Sequence, residues 1–262
     1  MELVLVLRWL ILIGSFWILG LPIARKLFPE FPDGGASLAL HVSLILIFVP
    51  AYWVGRFHVN LGYLVGVVVL LVATAYSIRS VSLPTTREIA APLGIFIIVF
   101  AIMLIVRGGY PWIVPAGGEK FLDFSLLKAV TRADTLPPED PWFAGRAVRY
   151  YYGGYLISGG LTEISGIDAA YTYNLLLPTF FSMLATGAYG LAAAIANKIG
   201  YSSFRSGVMA SFFVAFSGNL ATPARFLLGL APNHLARQYG HAILTGIRAE
   251  YTDMLVKATN PD

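Results

Sequence analysis

Two acids one helical turn apart, Glu119 and Asp123, are the residues of this sequence best suited to chemistry. The stretch around them, EKFLDFSLLKAVTR (Glu119 to Arg132), reads as a short helix that follows Gly117-Gly118. At 100° per residue, Leu122, Leu126 and Val130 form an apolar stripe, and Lys120, Ser125, Lys128 and Arg132 fall opposite it. Glu119 and Asp123 fall on the stripe rather than on the polar side. Like charges at i,i+4 repel by a few tenths of a kcal/mol even in water, and turning them toward apolar surroundings costs more unless a cation, a proton or a hydrogen-bond donor is present. One acid could then act as general base on an acceptor hydroxyl, and one or both could hold a divalent metal such as Mg or Mn. The plainer alternative is that Glu119 caps the helix N-terminus, where negative charge is favoured, while Asp123 pairs with an arginine.

Downstream, Leu136-Pro137-Pro138-Glu139-Asp140-Pro141-Trp142-Phe143-Ala144-Gly145 is a stiff, turning segment. Asp140 either caps a turn, with Trp142 and Phe143 dipping into a membrane interface, or points into the same cleft as the two acids. Arg146 and Arg149, at i,i+3, would share a helix face and could hold a phosphate or pyrophosphate; pairing with loop acids or lipid headgroups is the alternative. Tyr150, Tyr151 and Tyr152 read either as an aromatic belt at a bilayer boundary or as lining of the cleft, since three consecutive side chains point in different directions. Glu163 and Asp168 read as caps, and His234 and His241 lack the neighbours a metal site needs. Gly-rich phosphate loops, a G-x-S-x-G elbow and H-E-x-x-H are absent.

The elements that must position these residues are membrane spans. Hydrophobic residues make up 57% of the chain and charged residues 12%, with a mean hydropathy of +0.72. About 25% charged is usual for a soluble domain, so lipid must be the solvent for much of this surface. The net charge of +4 fits cytoplasmic loops anchored by Lys and Arg, and no basic patch interleaved with aromatics suggests nucleic acid. Cysteine is absent, which removes disulfides and thiol chemistry.

Apolar runs predict spans over 3–23, 36–54, 61–78 and 89–106, a four-span bundle within 1–107. A loop rich in Gly, Pro and charge follows over 108–170, and a loop of that length inside a compact bundle is usually functional. Two further spans, 171–196 and 206–230, lie within 171–230, and the tail over 231–262 is polar and mixed. The N-terminus lacks the basic n-region and small-residue cleavage site of a signal peptide, so its first run is an uncleaved span. With Arg25 and Lys26 inside, the positive-inside rule places Lys198 and Arg205 inside as well only if the glycine-broken run 150–164 is a juxtamembrane or half-inserted helix. The expectation is an all-α polytopic bundle of about six full spans, with the long loop and the tail on the extracytoplasmic side.

Three motifs in Gly117 to Phe181 carry a resemblance: Glu119-Lys120-Phe121-x-Asp123, Pro138-x-Asp140-Pro141-Trp142-x-x-Gly145 and Tyr150-Tyr151-Tyr152-x-Gly154. This block resembles the archaeal and bacterial multispanning "YYY" family, named for its tyrosine run, and more loosely the GT-C type glycosyltransferases, such as the oligosaccharyltransferases and protein mannosyltransferases. Those enzymes carry an acid or acidic pair on a juxtamembrane helix of the first large extracytoplasmic loop, followed by a second juxtamembrane helix. The resemblance implies a GT-C-like fold and a polyprenyl-phosphate-linked sugar as substrate. It also implies that an acid of this loop activates the acceptor, an arginine holds the lipid phosphate, and Trp142 and the tyrosines line the cleft. Longer members continue into further spans. On that comparison the chain reads as the N-terminal part of an enzyme, completed by a C-terminal partner chain, or else as a non-catalytic membrane module that binds lipid or glycan or assembles with a partner.

Overall fold

The computed structural model describes residues 3–109, 111–113 and 119–216. The chain divides into a unit Met1–Ala215 and a unit Phe216–Asp262, and only Phe216 of the second is described. Long apolar runs can satisfy their backbone polar groups in lipid only as helices, and that is what forms. In order these are α1 (Leu3–Leu27), a 3-10 turn (Ala36–Leu38), α2 (Ala39–Val54), α3 (Val59–Ser77), α4 (Thr86–Gly109), α5 (Lys120–Thr131), α6 (Gly153–Ser165), α7 (Ala169–Lys198) and α8 (Ser203–Phe216). No strand forms among the described residues. Five helices, α1 to α4 and α7 (counting the turn before α2), are long and apolar enough to cross a membrane. The sixth expected span begins as α8, and its remainder, 217–230, lies outside the described residues, as do the tail and both of its histidines.

Small residues let the spans approach closely, as membrane helices require where lipid offers no hydrophobic drive. Gly62 and Gly66 of α3 face the backbone of α2, and a Cβ on Gly66 would sit 2.0 Å from the Ile47 carbonyl oxygen. Gly20 of α1 meets α2 in the same way, 2.1 Å from the Ala39 carbonyl oxygen. The apolar stripe of α1, Val6, Trp9, Ile13 and Phe16, is buried, and the Trp9 indole donates to Thr179 Oγ1 of α7 at 2.9 Å.

The bundle has two chemically different ends. At one, Arg25 pairs with Glu88 at 2.6 Å and Lys26 lies 4.0 Å from the Tyr76 ring. This end gathers the α1 C-terminus, the α3 C-terminus and the α4 N-terminus. At the other end, Arg107 of α4 reaches Asn174 of α7, so α4 arrives where α7 departs. The 13-residue α6 lies between these helices without carrying the chain across. Lys198, 24 positions along α7 from Asn174, therefore falls at the Arg25 end. Lys198 thus shares an end with Arg25 and Lys26, as the reading of 150–164 as a helix that does not span requires.

Candidate functional site

Helices α5 and α6 and the segment joining them lie together at the Arg107 end. Leu126, Leu127 and Val130 of α5 are buried, so the helix is fixed by two of the three residues of the expected stripe together with Leu127, while Leu122 is half-buried. Val130 faces Gly159 of α6, where a Cβ would come within 2.8 Å of its Cγ1. Gly160 faces Phe48 and Tyr63 of the spans. The run forms one continuous helix, in which Gly159 and Gly160 are contact points and Gly153 and Gly154 face open space.

The joining segment is held by main chain. The Val59 amide donates to the Asp134 carbonyl, and the Leu136 amide to Gly55, each at 2.8 Å, fastening the loop to the α2–α3 turn. Beyond Leu136 the chain makes a small hairpin, with the Asp140 amide on the Arg146 carbonyl at 2.8 Å and the Val148 amide on Pro138 at 2.9 Å. Asp140 Oδ1 accepts from the amides of Trp142 at 2.9 Å and Phe143 at 3.3 Å, and Glu139 accepts from Gly145 at 2.6 Å. Asp140 is thus a turn cap, and its pointing into the acid cleft, the alternative reading, is not what forms. Trp142 and Phe143 are 51% and 68% exposed. Arg146 and Arg149 are exposed in non-helical chain, so their spacing does not set them on a common helix face.

The two acids part company. Asp123 is half-buried, and its Oδ1 accepts a 2.5 Å hydrogen bond from the Tyr155 hydroxyl of α6. The Tyr173 hydroxyl of α7 also lies close enough to interact with the Asp123 charge. Glu119 is the N-cap residue of α5, exposed, and makes no side-chain capping bond. The wheel held for Asp123, inside the helix, and failed for Glu119, which precedes it. Among the described residues no group of three His, Asp or Glu side chains comes together. With Asp123 engaged by Tyr155 and Glu119 exposed, the pair is not a ready metal cage.

Tyr150 and Tyr151 stack with ring centroids 3.9 Å apart, their hydroxyls bonded at 2.5 Å. Tyr152 turns away to stack on Tyr52 of α2 at 6.3 Å. The bond to Tyr151 is the main reason the Tyr150 phenol is pushed up to about 12, with Glu119 and Asp123 adding to it. Tyr155 is raised as well, first by burial and then by the Asp123 carboxylate. Both phenols therefore remain protonated donors at neutral pH. From Tyr52 an apolar groove of about 510 Å³ runs between α2, α6 and α7, past Leu156, Ile157, Phe180 and Met183.

Sequence reading missed the residues behind this surface. Arg107 is buried; its Nε donates to Asn174 Oδ1 at 3.1 Å and its Nη2 bonds the same oxygen. The Tyr173 ring lies 5.9 Å from the guanidinium. In the sequence Arg107 stands at the end of one apolar run, and Tyr173 and Asn174 stand near the start of another. The one available signal was Asn174, the only amide in the run 171–196. No curated protein and no solved structure matches the chain. Residues 42–246 match the model of a family described as "Uncharacterized membrane protein (DUF2298)". The match spans most of the bundle together with the α5–α6 surface, and on it the chain belongs to this family of multi-pass membrane proteins.

Proposed function

We propose that the chain is a GT-C-like membrane glycosyltransferase, or the N-terminal part of one. It would transfer a sugar from a polyprenyl-phosphate donor at the Arg107 end, which faces the extracytoplasmic side of the cell membrane. The observation that carries the reading is Asp123: a half-buried carboxylate at this end of the bundle, hydrogen-bonded by Tyr155 of α6 and beside Tyr173, where α6 also borders an apolar groove with room for an isoprenoid chain. The concentration of Arg25, Lys26 and Lys198 at the opposite end supports the orientation.

In the proposed reaction, Asp123 accepts the proton of the acceptor hydroxyl. The acceptor oxygen forms a bond to the anomeric carbon. The bond from that carbon to the phosphate oxygen breaks, and polyprenyl phosphate leaves with the electron pair. Glu119, Trp142, Tyr150 and Tyr151 line the approach, Tyr152 borders the groove, and exposed Arg146 and Arg149 attract the phosphorylated substrate. The test uses the purified chain in nanodiscs with polyprenyl-phosphate-linked mannose or glucose and an alkyl glycoside as hydroxyl acceptor, reading released polyprenyl monophosphate together with glycosylated acceptor. Asp123→Asn is expected to lower release at least about 100-fold, as loss of a general base does. Release at the wild-type rate in that variant sinks the proposal. The exposed Trp142 and Phe143 favour a second reading, a non-catalytic module that assembles with a partner through the hairpin, in which acid substitutions alter assembly alone.

A further inference from the structure

Arg107 carries a full positive charge at 8% exposure, and its hydrogen-bond and ring partners among the described residues are neutral. Two of the five N–H donors of its guanidinium go to one amide oxygen, Asn174 Oδ1, and the Tyr173 ring lies beside it. Arg25–Glu88 is the one ion pair within 4.0 Å among the described residues, so no described carboxylate is in direct contact with Arg107; the nearest by shared partner is Asp123, which interacts with the same Tyr173. A buried charge without a counter-charge is costly, and an amide dipole offsets only part of that cost.

The amide is itself fixed. Asn174 Nδ2 donates to the Pro111 carbonyl at 3.3 Å and to the Ala170 carbonyl at 3.1 Å, which aims Oδ1 at the guanidinium. Asn174 thus works as a positioning residue that holds the arginine fork in one orientation. A charged side chain inside a membrane bundle points to a functional role, and a planar fork whose other N–H donors are not taken by any described residue matches the oxygens of a phosphate.

We propose that Arg107, oriented by Asn174, is the seat of a phosphate group, and that in the reaction above it holds the phosphate of the lipid leaving group in place of the exposed Arg146 and Arg149. The identity of the lipid rests on the transferase reading; the anion seat itself rests on Arg107 alone.

The test is binding of radiolabelled polyprenyl monophosphate to the full chain in phosphatidylcholine nanodiscs. Arg107→Gln should weaken binding about tenfold or more, as loss of a charge-assisted bond does. Arg107→Lys, which keeps the charge and loses the fork, should fall between, and it supplies the answer if the glutamine variant does not fold. Unphosphorylated polyprenol should not compete. Competition by inorganic phosphate or by phosphatidylglycerol, if lost in the Arg107 variants, supports the seat and assigns its anion to a soluble or a general lipid source. Wild-type affinity in a folded Arg107 variant, or equal competition by polyprenol, overturns it. Arg107-dependent binding together with unchanged transfer by Asp123→Asn would keep the seat and remove the transferase reading.

Discussion

Replacing Gly160 by alanine tests whether the docking of α6 is what sets the site. The new methyl would lie 2.4 Å from Phe48 Cε1 and 2.6 Å from Tyr63 Cε1, closer than carbon atoms approach without displacement. Both rings are packed and pair edge to face with centroids 5.9 Å apart, so neither yields freely. Overpacking of this kind costs about 1–3 kcal/mol, and disturbing the aromatic pair adds roughly 0.5–1.5 kcal/mol. A loss near 2 kcal/mol lowers Tm by about 4–8 °C for a chain of this size. Gly154 of the same helix is the control, because a Cβ there meets nothing within 4 Å. Gly154→Ala gains helix propensity, up to about 1 kcal/mol, and should hold or raise Tm. Thermal unfolding of both variants in one detergent decides the matter. Equal Tm values would refute the account of α6 as a helix seated by close contact on α2 and α3.

Leu127, 1% exposed, holds α5 down, and Leu127→Ala should destabilise by about 2–5 kcal/mol, read as loss of Tm and faster proteolysis between α5 and α6. Tyr155 gives a pH prediction. Its folded value lies above the ordinary tyrosine range, so the unfolded chain releases this proton first. The contribution is therefore complete below about pH 10 and declines as pH rises toward the folded value. Tyr155→Phe should show a shallower fall of stability between neutral and strongly alkaline pH than the wild type, measured by denaturant unfolding across that range.

The spans were legible because hydrophobic length is a one-dimensional signal: the expected 61–78 and 89–106 became Val59–Ser77 and Thr86–Gly109. Helix α5 was legible for the same reason, its stripe of Leu126 and Val130 being what it buries. Periodicity speaks only within a helix, and so it misplaced Glu119 at the N-cap and gave Arg146 and Arg149 a common face in chain that is not helical. Asp140 was readable as a turn cap from its local Asp-Pro chemistry. The contacts of Arg107 with Asn174 and of Asp123 with Tyr155 join residues 67 and 32 positions apart, and only the bundle's topology brings them together.

The bonds that tie Asp134 and Leu136 to the α2–α3 turn run through amides and carbonyls alone, so side-chain replacement leaves their donors and acceptors in place. Between that fastening and Tyr152, Pro138 and Val148 are buried and the Glu139 and Asp140 carboxylates hold the turn, which leaves the outermost positions of the hairpin as the ones free to vary. The exposed tip at Phe143 and Ala144 is accordingly where a foreign epitope or fluorophore could be spliced in as a reporter, leaving the surface behind it undisturbed.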